Sequence, residues 1–149
     1  MRTGEVLASY SNPSFDPNLF AVGMTTSQFR ELQENPDRPL FNRAVRGAYP
    51  PGSTIKPMLA LAGLETGATN LTRKSICRGY FQLPGDEHRY RDWKPEGHGT
   101  VNVHEAVSQS CDVFFYQISG GYQKTFEGLN DDRMIQYSEL FGFGSPTGV

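Results

Sequence analysis

The stretch Pro50-Pro51-Gly52-Ser53-Thr54-Ile55-Lys56-Pro57, running directly into Met58-Leu59-Ala60-Leu61-Ala62-Gly63-Leu64, decides how this chain folds. The two prolines make a stiff approach, and Gly52 ends it in a flexible joint. Met58, Leu59, Ala60, Leu61, Ala62 and Leu64 put apolar groups on nearly every face, so a buried rather than an amphipathic helix is predicted from Ser53 to Glu65. Pro57 is tolerated near its start, and Gly67 suits its C-terminal stop. Residues three apart share a helical face, which brings the Ser53 hydroxyl and the Lys56 amine within reach of one another. A serine needs a base to become a nucleophile. A lysine serves as that base when burial lowers its pKa, and the apolar helix supplies the wall. Backbone N–H groups at a helix N-terminus also favour negative charge on a substrate oxygen. Alone, the Ser-x-x-Lys spacing fits an N-cap serine and a surface lysine more often than chemistry.

Downstream, Asn102 with Glu105 forms a capping-box pair, and Val103, Ala106 and Val107 make the stripe of the helix that follows. The helix breaks near Ser110-Cys111-Asp112 and gives way to Val113-Phe114-Phe115-Tyr116-Gln117-Ile118, too apolar to lie exposed. A hydroxyl and a side-chain acceptor at such a junction can relay a proton and orient a lysine. The competing reading is a serine ending one helix and an aspartate capping the next. Between the two sites, residues 77–100 are polar, aromatic and turn-rich, and little secondary structure is expected there. Such segments are usually functional or separately tied down. Upstream, Gly4 to Ser11 reads as a short strand ending at Asn12-Pro13. One or two helical turns are expected over Thr26–Leu32, capped by Thr26 or Ser27, with loop around them. A last helix is expected from Asp132 to Phe141, stopped by Gly142.

The 149 residues carry 14 Lys+Arg against 16 Asp+Glu, a net charge of −2, which argues against nucleic acid as a partner. With 37% hydrophobic residues, 16 Gly and 10 Pro, the chain holds a modest core and many turns. No stretch approaches the ~18–20 apolar residues that span a bilayer. Two cysteines, Cys77 and Cys111, are too few for a disulfide scaffold. They suit one disulfide, a pair of metal ligands, or unrelated thiols.

Several motifs in order carry a family resemblance. Asn42-Arg43-Ala44 followed by the Pro50–Pro57 stretch resembles the transpeptidase domain of class B penicillin-binding proteins, which carry an NRA segment and then a PPGSxxKP helix. The opening GEVLASYSNPSFDPNLF looks like the strand that precedes that helix. RYRDWK, GHG and SCDVFFYQ (Arg89–Lys94, Gly97–Gly99 and Ser110–Gln117) are similar to the rod-shape-maintaining group, penicillin-binding protein 2. The resemblance implies an α+β fold of the penicillin-binding transpeptidase and serine β-lactamase type, here rich in the helical part with an N-terminal strand. It implies a peptidoglycan D,D-transpeptidase that crosslinks stem peptides in cell elongation through an acyl-serine intermediate.

Carried over position by position, Ser53 is the acylated nucleophile and Lys56 its general base. Ser110 is the proton relay to the leaving amine, and Asp112 stands where many relatives have Asn. β-Lactams, as mimics of D-Ala-D-Ala, would acylate the same Ser53. No cofactor is expected for catalysis. A Lys-Thr-Gly motif that such domains carry on an edge strand is absent from the sequence. The expectation is therefore that residues 1–149 are the N-terminal part of a transpeptidase domain. The KTG strand, membrane anchor and non-catalytic N-terminal domain would lie elsewhere in the parent, and the isolated chain would show little transpeptidation. Expected partners are peptidoglycan stem peptides, a SEDS-family glycosyltransferase and other elongation proteins, at the periplasmic face of the bacterial inner membrane.

Some members of this family carry a structural zinc beside the second motif, with ligands of the Asp/Asp/His/Cys type. The last three match Asp92, His98 and Cys111, and Cys77 takes the first position. Two thiolates, a carboxylate and an imidazole make a plausible tetrahedral set, while a periplasmic parent also allows a Cys77–Cys111 disulfide. His88 and His104 are expected at the surface. The alternatives to a transpeptidase are a serine β-lactamase or penicillin-sensing domain, which shares the SxxK helix, and a non-catalytic scaffold relative.

Overall fold

A computed structural model describes residues 2–121 and 127–148. The described residues form two compact units, one over residues 2–50 and one over Pro51–Gly148.

The first unit holds three short helices: α1 (Asn18–Val22), α2 (Thr26–Glu34) and α3 (Arg43–Arg46). Helix α2 forms where expected, but its cap lies one residue earlier. Thr25 accepts the Gln28 backbone N–H while the Gln28 side chain accepts the Thr25 N–H, a reciprocal capping box. Helix α3 was not foreseen. Asn42 caps it, accepting from the N–H groups of Ala44 and Val45. The strand expected over Gly4–Ser11 is not formed. A strand exists through ladder partners, and among the described residues none pairs with this segment, which leaves Val6, Leu7 and Tyr10 exposed. It is instead fastened at one point, where the Ser11 hydroxyl accepts the Arg43 N–H and donates to the Phe41 carbonyl.

The second unit begins with a 3-10 turn, Gly52–Ile55, that passes straight into α4 (Lys56–Thr66). Gly67 ends α4 in the left-handed region at φ 77°, as the sequence suggested. Met58, Leu59, Ala60 and Ala62 are buried, and α4 packs against α5 (Val103–Ser108), α6 (Asp112–Gly120) and α7 (Asn130–Leu140). Phe114, Ile118, Leu129, Val101 and Val113 are the largest apolar side chains fully enclosed there. The predicted capping box at Asn102 and Glu105 is present at the start of α5. Helix α7 begins two residues before the expected Asp132.

Residues 77–100 are more ordered than the sequence suggested. Strand β1 (Ser75–Cys77) pairs antiparallel with β4 (Gly99–Val101), and β2 (Tyr80–Phe81) with β3 (Tyr90–Arg91). Strands of two or three residues are too short to show a period-2 pattern, so alternation gives no warning of them. Two glycines let the loops cross. A side chain at Gly79 (φ 84°) would collide with the Pro95 carbonyl oxygen, and one at Gly97 (φ 78°) with that of Cys77. Helices with small antiparallel sheets agree with the expected α+β class. Among the described residues no helix is long and apolar enough to cross a membrane.

Candidate active site and metal centre

Lys56 is the first residue of α4 and is buried at 6% exposure, whereas Ser53 lies exposed in the 3-10 turn before it. The lysine amine makes three short contacts. It donates to the Ser110 carbonyl at 2.8 Å, to the Ser110 hydroxyl at 3.0 Å and to Asp112 Oδ1 at 2.5 Å. These use all three N–H bonds of an ammonium. The Ser110 hydroxyl then donates to Ser53 Oγ at 3.1 Å. The helical spacing placed Ser53 and Lys56 in direct reach, but no hydrogen bond joins them. Because Ser53 sits in a 3-10 turn outside α4, the two are linked through Ser110.

Ser110 can turn both its carbonyl and its hydroxyl toward Lys56 because its backbone is left-handed, φ 55°. That conformation breaks the chain between α5 and α6, at the junction the sequence marked. Asp112 opens the first turn of α6, where a carboxylate is favoured by the helix dipole. Its other oxygen accepts the Trp93 backbone N–H at 3.2 Å. Phe115 lies under the lysine, with Nζ 5.6 Å from the ring centroid.

Cys77, Asp92, His98 and Cys111 meet in a second cluster. Each stands at an element boundary: Cys77 ends β1, Asp92 follows β3, His98 precedes β4, and Cys111 is the N-cap of α6. Their ligand atoms all lie within 4.8 Å of one another. Cys77 Sγ is 3.4 Å from Asp92 Oδ2 and 3.4 Å from His98 Nδ1, and His98 Nδ1 is 3.5 Å from Asp92 Oδ1. A tetrahedral zinc with bonds of ~2.0–2.3 Å holds its ligand atoms roughly 3.3–3.8 Å apart. The donor set fits such an ion in chemistry, and the spacings among Cys77, Asp92 and His98 fall in that range, with Cys111 within 4.8 Å of all three. The two thiols are unbridged.

Burial alone would raise the Asp92 pKa. The N–H groups of Lys94 and Val113, the Cys77 thiol and nearby His98 more than offset this and hold it below the ordinary carboxylate value. Burial pushes the Cys111 thiol strongly upward, aided by neighbouring Cys77 and Asp92 and opposed by the Phe114 N–H. His98 turns Nδ1 to the cluster, while its buried Nε2 has no hydrogen-bond partner among the described residues.

Two chain segments serve both clusters. Residues 110–112 carry Ser110, Cys111 and Asp112 in succession, and Asp92 is followed by Trp93, whose N–H holds Asp112. The indole Nε1 of Trp93 also donates to the Gln109 carbonyl at 3.1 Å. Sequence reasoning gave Trp93 no part. The available signal was a lone tryptophan in a polar loop beside a candidate ligand. His88 and His104 are exposed, as expected.

A buried lysine joined through Ser110 to an exposed serine is a candidate acyl-transfer arrangement. The whole chain, residues 1–149, matches the penicillin binding protein transpeptidase domain, and it belongs to that family. It is 49% identical over 148 residues to the peptidoglycan D,D-transpeptidase MrdA of Acinetobacter baumannii, a match covering 99% of this chain and 21% of that protein. Among solved structures, Pseudomonas aeruginosa PBP2 in complex with WCK 5153 is 44% identical, with a TM-score of 0.81 over 96% of this chain and 30% of that one. Helicobacter pylori PBP2, solved in complex with MreC, is 30% identical, with a TM-score of 0.83 over 97% of this chain and 26% of that one. The chain thus spans about a fifth of the length of the MrdA relative.

Proposed function

We propose that this chain is the N-terminal part of the transpeptidase domain of a peptidoglycan D,D-transpeptidase of cell elongation, with Ser53 as nucleophile. The observation that carries the reading is the hydrogen-bonded line from buried Lys56 through Ser110 to Ser53. Ser53 Oγ attacks the carbonyl between the two terminal D-alanines of a stem peptide and forms an ester. The hydroxyl proton passes through Ser110, and the same serine returns a proton to the departing D-alanine amine. Lys56 serves as base in its neutral amine form, accepting the Ser110 hydroxyl proton as Ser110 takes the one leaving Ser53 Oγ. Asp112 holds the amine in place meanwhile. The chemistry calls on no cofactor. In the full-length parent, a fluorescent penicillin should label the wild type and leave Ser53→Ala unlabelled. Equal labelling of both would overturn the assignment, and an unlabelled wild type would favour a non-catalytic scaffold.

The Cys77, Asp92, His98 and Cys111 set we assign to a structural zinc ion, which when bound neutralises thiolate charge and ties β1, β4 and the start of α6 together. Zinc content measured with thiol alkylation before and after chelation tests this. One equivalent of metal and chelator-dependent alkylation support it; metal-free protein with unreactive thiols speaks for a disulfide. The KTG strand would come from outside residues 1–149, in keeping with a chain that covers a fifth of the MrdA relative. Partners of the parent would be stem peptides, β-lactams, a SEDS-family glycosyltransferase and elongation proteins, a reading supported by the PBP2–MreC complex of Helicobacter pylori. Its catalytic domain would face the periplasm from the inner membrane.

A further inference from the structure

Where β3 meets α6 lies a cavity of about 700 Å3, walled by Glu87, His88, Arg89, Tyr90, Arg91 and Tyr116. Its volume falls in the ~300–1,000 Å3 range of ligand sites. It shares no wall residue with the Ser53–Lys56 line or with the Cys77–His98 knot. We propose that it binds an uncharged sugar ring, an N-acetylated hexosamine of the glycan strand from which the stem peptide hangs. The inference rests on the peptidoglycan reading above and deepens it with a site for the polymer itself.

Half of the wall is aromatic. The rings of Tyr90 and Tyr116 lie 5.9 Å apart, and buried Phe81 stands behind them at 6.5 and 6.1 Å. His88 meets Tyr90 edge-on at 4.6 Å. Both tyrosines still keep over a third of their surface exposed, at 36% and 37%. Rings held from one side and open on the other are preorganised for contact at little entropic cost. A pyranose ring presents C–H groups on its face, and these pack on an aromatic surface as other apolar groups do. Around its edge it presents hydroxyls in neighbouring pairs, which match rigid planar forks. A guanidinium offers paired N–H donors, and a carboxylate offers two acceptor oxygens. The charged wall groups are all of this planar kind: Glu87, Arg89 and Arg91, with no lysine among them. Arg89 lies over the Tyr80 ring at 4.6 Å. Glu87 and Arg91, one of each sign, are in no ion pair among the described residues. An anion would meet Glu87 and a cation would meet Arg91, whereas a neutral guest rich in hydroxyls uses both. An acetamido group adds a carbonyl for Arg91 and a methyl group for the aromatic wall.

The position suits a polymer that carries the reacting peptide. Tyr116 stands one turn beyond Asp112 on α6, roughly 6 Å along the axis. Asp112 is joined to Ser53 by three hydrogen bonds, through Lys56 and Ser110. An extended stem peptide of about five residues covers roughly 17 Å, the scale of that separation.

The test is calorimetric titration of the full-length parent with a β-1,4-linked N-acetylglucosamine tetramer, with inorganic phosphate as the anionic comparison. The tetramer should bind saturably at one site. Arg91→Met and Glu87→Gln, both at exposed positions, should each weaken it about tenfold, the scale of one hydrogen bond to a charged group. Tyr116→Phe keeps the ring and should bind the tetramer as the wild type does. Labelling by fluorescent penicillin should match the wild type in all of these variants. Absence of saturable tetramer binding, or binding that ignores both Arg91→Met and Glu87→Gln, overturns the inference. So does phosphate binding that is tighter than the tetramer's and lost in Arg91→Met, which marks an anion site instead. A wild type that binds the tetramer yet takes up no penicillin overturns the acyl-serine reading and leaves the sugar site standing.

Discussion

The two side-chain clusters of the second unit are built from neighbouring residues, yet they solve opposite problems. Ser53, Lys56, Ser110 and Asp112 form a line that runs from a buried amine to an exposed hydroxyl, joined by hydrogen bonds that can reverse. Cys77, Asp92, His98 and Cys111 form a closed knot in which three of the four residues are buried and the His98 side chain is 2% exposed. Under the proposed function the first cluster has to let protons and substrate in. The second, as the proposed zinc site, has only to hold, and its four residues come from element boundaries that would otherwise be weakly tied. Short strands and a six-residue helix offer little stability of their own. Ser110, Cys111 and Asp112 are interleaved, so under the proposed function a metal that fixes the knot would also fix the relay.

That contrast breaks most sharply at Lys56. Lys56→Ala in the full-length parent removes the proposed base and leaves Asp112 without its amine partner, and acylation by penicillin should fall by ~10²–10⁴-fold with the fold retained. A loss of less than about tenfold would mean that the line from Lys56 to Ser53 does not carry the proton.

Cys111→Ser tests the knot. It should abolish stoichiometric zinc and lower the thermal midpoint by several degrees, since loss of a metal ligand typically removes a large share of binding free energy. Through the shared segment it should also slow acylation, by about tenfold. Normal acylation in a metal-free variant would show that the clusters are independent, and the interleaving would then be only a matter of sequence order.

A smaller effect is expected for Asp112→Asn, which preserves shape but has a single acceptor oxygen. Turned toward Lys56 Nζ, that oxygen keeps the contact without its charge and gives up the Trp93 N–H. Penicillin acylation should change by less than tenfold, in keeping with the Asn of many relatives. A loss as large as that of Lys56→Ala would make the carboxylate an essential proton carrier rather than a positioning group.

How legible these regions were follows from how local each is. The caps at Asn102 and Glu105, the stop at Gly67 and the break at Ser110 are set by neighbours along the chain, and their residue types announce them. Helix α3 escaped notice because four residues show no period; Asn42 was its only signal. The expected strand over Gly4–Ser11 fails for the opposite reason, since alternation describes a face but a strand needs a partner. The meeting of Cys77 with His98 depends on the β1–β4 register that sets Cys77 opposite Gly99. Spacing alone could not supply that. The family resemblance named the set, while the geometry shows why it converges. The indirect link from Ser53 to Lys56 was also hidden, because a 3-10 turn and an α-helix differ too subtly for composition to separate.

The mildest probe of the contrast is Tyr116, one turn after Asp112 on α6. Burial raises its phenol pKa above the usual value near 10, and the carboxylates of Asp112 and Asp92 push it further, so one side chain feels both clusters. The neutral phenol is the form the folded protein favours. Its effect on stability is therefore constant below the unfolded pKa and becomes unfavourable as pH rises from there through the folded pKa. Wild type should lose stability above about pH 10 more steeply than Tyr116→Phe, which has no phenol to ionise. Below that pH the two should run parallel. Because the residue is over a third exposed, the difference will be small, and ultraviolet phenolate titration gives a second reading of it. In Asp112→Asn the Tyr116 midpoint should move back toward 10 but stay above it, since burial and Asp92 remain. A midpoint indifferent to Asp112 would separate Tyr116 from the catalytic line and leave its shift to burial and the metal knot alone.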